Sequence, residues 1–210
     1  KKRLPLGDTN WGELCKEMNL QETARAEELS INEWINMARF LDDNPLKDNP
    51  QKSSEMFDVV DENDEVVDQM ERSRVHSEGL LHRAVHVFVF NKSGDLYLQK
   101  RSVLKDSSPG LWDSSVSGHL DLSEEYHCAA IRELTEELGV SLGVDFICSI
   151  KPSENTGWEF VRLYKCEHNG PFNLPYSEIE GGGFFPIDMI GNWVQERPED
   201  FASGFVECCN

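Results

Sequence analysis

Basic side chains are scarce in this 210-residue chain: 20 Lys and Arg stand against 39 Asp and Glu, a formal net charge of -19. That balance cannot supply a phosphate-neutralising stripe, which excludes broad, charge-driven binding to nucleic acid or to an anionic membrane surface. A small basic pocket for a diphosphate stays compatible with it. Long apolar runs are also missing; none approaches the ~20 residues of a bilayer-crossing helix, so no membrane partner is expected. The cysteines, Cys15, Cys128, Cys148, Cys166, Cys208 and Cys209, form no CxxC pair and no close Cys/His cluster. Neither a disulfide scaffold nor a cysteine-built zinc site is therefore expected, and Cys128 is expected to fill a core. There are no internal repeats. Lys1-Lys2-Arg3 opens without Met, which leaves a trimmed targeting peptide open; cytoplasm is the default localisation.

What is present divides in two. Residues 1–55 read as a helical N-terminal appendage and linker. Ser30 with Glu33 makes a capping box, and Ile31, Trp34, Ile35, Ala38 and Leu41 follow at helical spacing. Asp42-Asp43-Asn44-Pro45 then opens a polar linker. Residues 56–210 change to an α/β grammar. Phe57 to Val60 and Val66-Val67 read as strands around an Asp61-Glu62-Asn63-Asp64 turn, and Ala84 to Phe90 turns through Asn91–Asp95 into Leu96 to Arg101. A loop with Pro109-Gly110 leads to a helix from about Glu124 to Leu138, stopped by Gly139. Further strands are expected at Phe146 to Ile150, Glu159 to Cys166 and Gly183 to Pro186, with Gly181-Gly182-Gly183 a flexible turn and a short helix near Asp188.

One segment carries chemistry. From Gly118 the chain reads GHLDLSEEYHCAAIRELTEELGV. Glu133, Glu136 and Glu137 fall within one ~100° arc of a helix, where three carboxylates repel one another unless a hard divalent cation accepts their oxygens. Ala129, Ala130, Ile131, Leu134 and Leu138 occupy the other face and can pack on a sheet. The spacing is an unbroken match to GX5EX7REUXEEXGU, with U a bulky aliphatic residue. The pattern would arise by chance in about one in a million chains of this size. It is the Nudix box, and the chain resembles the Nudix hydrolase superfamily.

The resemblance implies a Nudix-type α/β/α sandwich with a mixed curved sheet, and Mg²⁺ (or Mn²⁺) held by Glu133, Glu136 and Glu137. Those residues are thereby the expected catalytic group, and Glu124 is expected to pair with Arg132. One carboxylate, in the box or on a later loop, serves as general base. His82-Arg83-Ala84-Val85-His86, Gln99 to Lys105, Pro109-Gly110-Leu111-Trp112 and Ser117-Gly118-His119 narrow the likeness to the isopentenyl-diphosphate isomerase-like branch. By that likeness His82, His119 and Glu159 are further metal ligands, while Arg101 and Lys105 grip the diphosphate. His76 lies one residue short of a further histidine position, and Gly157 stands where a second late glutamate is expected.

The departure that matters is Ser117, which occupies the place of the isomerase's catalytic cysteine. A hydroxyl is far less acidic than a thiol and serves poorly to move a proton at carbon. With an intact box, this points to hydrolysis of a phosphoanhydride in a small organic or nucleoside diphosphate. An isomerase-like enzyme with altered machinery and a non-catalytic binding module are the alternatives. Trp112, Trp158 and Phe160 are candidates either for the core or for stacking on a substrate. Pairing of two copies into a homodimer stays open.

Overall fold

A computed structural model describes residues 55–105, 107–175 and 177–210. The helices and linker expected before Glu55 lie outside the described residues. β1 (Met56–Val60) and β2 (Val66–Glu71) form a separate antiparallel hairpin. Its turn is organised by Asp61, whose carboxylate accepts the backbone N–H groups of Asn63 and Glu65 at 2.8 and 3.0 Å. A short helix, α1 (Arg72–Glu78), closes on Gly79 at φ 62° and leads into the main sheet.

That sheet is built from β3 (His82–Phe90), β4 (Leu96–Arg101), β5 (Trp112–Asp113), β6 (Val116–His119), β7 (Asp145–Ile150), β8 (Glu159–Glu167) and β9 (Ile179–Phe185). Its order is β5-β4-β3-β8-β7, with β6 also on β3 and β9 also on β4. β3 and β8 run parallel while their other neighbours are antiparallel, so the sheet is mixed. The β3–β4 hairpin turns on Asn91, whose side-chain oxygen accepts the N–H groups of Ser93 and Asp95, both at 2.9 Å. Beyond the turn the two strands splay. Their register holds only Phe90 opposite Leu96, after which β3 continues against β6 and β4 against β9 and β5.

Strand alternation assigns the two faces. Val85, Val87 and Val89 pack against the box helix α2 (Tyr126–Leu138) through Ala129, Ala130, Leu134 and Leu138. Leu134 and Leu138 are fully buried, each contributing about 1.5–3 kcal/mol of transfer free energy. Phe88, Leu96, Leu98 and Leu163 face the other way, against Ile190 and Val194 of α3 (Ile187–Glu196) and Phe205 of α4 (Ser203–Cys209). The expected sandwich is therefore present. Among the described residues no helix is long and apolar enough to cross a membrane.

Three expectations are corrected. Cys128 is exposed on α2, because Ala129 and Ala130 take the buried face at that level. The approach to the box contains β5 and β6, too short to show alternation. The triple glycine is not a turn but the middle of β9, paired with Leu98, Gln99 and Lys100 of β4. A Cβ on Gly182 would overlap the Tyr97 hydroxyl and the Leu98 carbonyl oxygen, whereas one on Gly181 would meet nothing within 4 Å. Helices α1 and α4 were not anticipated. Gly182→Ala is expected to destabilise the domain by about 1–3 kcal/mol through overpacking, and Gly181→Ala to stay within about 1 kcal/mol of the parent. Paired urea unfolding curves would check this; equal midpoints would remove the steric account of Gly182.

Candidate active site

The box loop and helix are joined by Arg132. Its Nε and Nη2 donate to Glu124 Oε1 and Oε2 at 3.0 and 2.8 Å, a bidentate pair. Nη2 also donates to the carbonyl oxygen of His119 at 2.9 Å, and Nη1 to Glu133 Oε1 at 2.8 Å. One side chain thus ties the loop, β6 and the helix together. Gly118 is required beside it, since a Cβ there would overlap the carboxyl group of Glu133. The tight spacing of glycine, arginine and glutamate is a packing requirement as well as a chemical one.

The three box glutamates differ in environment. Glu136 stands at the rim, 60% exposed, with Oε2 3.4 Å from Arg132 Nη1. Glu133 and Glu137 turn inward. Burial lifts Glu133 to about 7, outweighing the favourable Arg132 contact, with Glu136 adding repulsion. Burial lifts Glu137 to about 8, against the pull of Lys105 and with Glu133 and Glu178 raising it further. Glu137 Oε2 accepts from Gln99 Nε2 at 3.1 Å and from the Ser117 backbone N–H at 3.3 Å. Two carboxyls whose ionisation is opposed by burial, and a third at the rim, are a donor set suited to a hard cation.

Arg101 and Lys105 are both brought to this region, and both are already engaged. Arg101 is 7% exposed and its Nη1 donates to Asp113 Oδ2 at 2.8 Å, with its other nitrogens on Ser107. The Ser117 hydroxyl donates to the same Asp113 oxygen at 3.1 Å and lies 3.5 Å from Arg101 Nη1. Lys105 pairs with Glu178, which precedes β9.

A second cluster lies next to the first, with β6 contributing to both. His82 Nδ1 is 2.8 Å from the Leu80 carbonyl oxygen. A carbonyl only accepts, so Nδ1 carries the proton and Nε2 is the ring nitrogen left to meet a metal. That Nε2 has no hydrogen-bond partner among the described residues, with Glu159 Oε1 3.5 Å away. The parallel register places Glu159 beside His82. His119 Nε2 is 2.9 Å from the same oxygen. His76, despite its shifted spacing, joins them: one ring nitrogen from each of His76, His82 and His119 lies within 4.8 Å of the others. Burial lowers His119 to about 4. Burial opposes ionisation of Glu159, yet the contacts from His119 and His82 hold it well below the usual carboxylate range. Phe57 stacks on His119 and His82, with centroids 4.6 and 5.8 Å apart, and Arg72 Nη1 is 3.4 Å from His119 Nδ1.

Residues 80–203 match the NUDIX domain family. The chain belongs to the Nudix family. It is a Nudix hydrolase, an enzyme acting on diphosphate bonds. It is 32% identical over 157 residues to an isopentenyl-diphosphate Delta-isomerase of Serratia proteamaculans, covering 72% of this chain and 88% of that one. It is 42% identical over 149 residues to an uncharacterized Nudix hydrolase of Nostoc, covering 68% and 86%. Among solved structures, DR0079 from Deinococcus radiodurans superimposes with a TM-score of 0.60 at 28% identity, covering 68% of this chain and 90% of that one. Both an isomerase and Nudix hydrolases thus stand among its relatives.

Sequence reasoning assigned no role to Gln99, Asp113, Glu178, Arg72 or Phe57. Gln99 had a signal: it is a polar residue continuing the buried alternation of Tyr97. The others reach the site by tertiary folding alone. Trp112 belongs to the core, packed on Phe185 and Trp193, whereas Trp158 is 43% exposed and leans over Gly79. Because Arg132 holds three segments through charged hydrogen bonds, Arg132→Lys is expected to cost roughly 2–3 kcal/mol of stability. Thermal and urea unfolding of the variant measure it, and a loss under about 0.5 kcal/mol would show that the brace is dispensable.

Proposed function

We propose that the protein is a Mg²⁺- or Mn²⁺-dependent pyrophosphohydrolase that cleaves the phosphoanhydride of a small organic or nucleoside diphosphate. The observation that carries this reading is a complete box with Glu133 and Glu137 turned inward and Glu136 at the rim, together with Ser117, which by the resemblance holds the place of the isomerase's cysteine. The Ser117 hydroxyl is spent on Asp113, and no thiol is assigned to protonate carbon. Cys128 is exposed on the box helix, away from that place.

Glu133, Glu136 and Glu137 are the residues to hold the cation. When bound, it neutralises charge on the diphosphate oxygens and acidifies a coordinated water. The protein's own contributions are separable. Arg101 and Lys105 supply fixed positive charge for the diphosphate, whose oxygens would compete with Asp113 and Glu178 for them. A carboxylate of the box is one candidate for the general base. Glu178, facing Lys105 and Glu137 from a later loop, is the other candidate base.

His82, His119 and Glu159, with His76, form a second donor set whose mixed imidazole and carboxylate chemistry suits a transition metal. The partnerless His82 Nε2 supports that assignment. Co²⁺ titration is expected to give visible ligand-field absorption that His82→Ala eliminates while Glu137→Gln retains it. Absorption unchanged in His82→Ala would exclude the histidine centre.

Phosphate-release assays with nucleotide sugars, dinucleoside polyphosphates, coenzymes and isoprenoid diphosphates should find turnover with Mg²⁺ or Mn²⁺ and none after EDTA. Glu136→Gln and Glu137→Gln should each reduce it by about a hundred-fold or more. No isomerisation of isopentenyl diphosphate is expected in a parallel assay. Isomerisation without phosphate release would replace this reading with the isomerase one, and inactivity on every diphosphate would favour a binding module.

A further inference from the structure

We infer that Gln99 is a positioning residue for the box cation: its amide N–H holds Glu137 while its side-chain carbonyl accepts a hydrogen bond from water in the cation's hydration shell. This rests on the metal-dependent reading above. Gln99 is 1% exposed on β4, in a run where Leu96, Tyr97 and Leu98 are also buried. Its Nε2 donates to Glu137 Oε2 at 3.1 Å, yet Oε1 has no hydrogen-bond partner among the described residues.

An unpaired carbonyl in the interior destabilises the fold. A methionine or leucine would satisfy this strand position without that penalty, so packing does not explain the amide. With a cation bound and Glu137 therefore ionised, the amide has one orientation, nitrogen toward the carboxylate, and its oxygen is left to accept elsewhere. The surroundings restrict the donor. Glu133, against Gly118, and Glu137, on the Ser117 backbone, already bring two mutually repelling carboxylates to the region. Another carboxylate would worsen that repulsion, whereas a neutral carbonyl adds an acceptor without charge. A hydrated divalent cation brings donors of the matching kind, because Mg²⁺ sheds water reluctantly and keeps several ligand waters whose hydrogens point outward. Outer contacts of this sort orient a metal's ligands.

The test is Mn²⁺ titration followed by electron paramagnetic resonance, with the box component defined as the binding lost in Glu137→Gln. Gln99→Met keeps the length and removes both polar atoms. It should weaken box binding about ten-fold or more while leaving the melting temperature of the metal-free protein unchanged or higher. Box affinity within about two-fold of the parent would overturn the proposal. If Gln99→Met lowers both affinity and melting temperature, the deuteron couplings of Mn²⁺-bound water in D₂O decide. Couplings changed from those of the parent support the role, and couplings identical to the parent's overturn it. A parent chain with no Glu137-dependent Mn²⁺ binding would instead sink the metal-dependent reading itself.

Discussion

Burying the carboxyls of Glu133 and Glu137 in the seam between the box helix and the sheet is costly, because each must give up water that would stabilise its charge. Much of the surrounding structure follows from that constraint. Gly118 lacks a side chain because the Glu133 carboxyl fills its space. The Arg132 guanidinium compensates Glu133 while bonding Glu124 and the His119 carbonyl, so the charge that relieves the helix also closes the loop. Glu137 receives the Ser117 backbone N–H and the Gln99 amide but no adjacent guanidinium. Burial raises its proton affinity, as it does that of Glu133.

The splay of β3 from β4 makes room for this arrangement. Had the hairpin zipped along its length, β6 could not pair with the lower half of β3, and Ser117, Gly118 and His119 would have no fixed place. As built, these three consecutive residues serve different tasks: a backbone donor to Glu137, a gap for Glu133 and a ring beside Glu159. Alternation along the strand separates the tasks without a loop to do it.

The β1–β2 hairpin and α1 precede the matched residues 80–203 and still belong to the site's walls. Phe57 stacks on His82 and His119, and His76 completes the histidine group. Asp58 accepts the Ser123 N–H of the box loop at 2.7 Å. The far end is clamped by Asp64, which accepts from Arg83 Nε at 2.6 Å and from the Tyr126 hydroxyl at 3.0 Å. These anchors set the position of His76 more directly than its sequence spacing does, which is why a one-residue shift did not remove it from the cluster.

The sequence by itself determined the box, its pairing of Glu124 with Arg132, the sheet-helix alternation and most strand positions. These depend on interactions repeated within a few residues, through turns, helical arcs and strand periodicity. It also located His82, His119 and Glu159, although their proximity follows from the parallel register of β3 and β8, a contact between segments far apart in the chain. Only the tertiary structure decided that Arg101 and Lys105 are already matched by Asp113 and Glu178. It likewise decided that Glu136 faces water while Glu133 and Glu137 do not, that Gly182 belongs inside a strand, and that Gln99 carries an unpaired carbonyl. Each of these turns on what lies across a packed interface, and burial there sets the charge state and the space that a linear pattern cannot express.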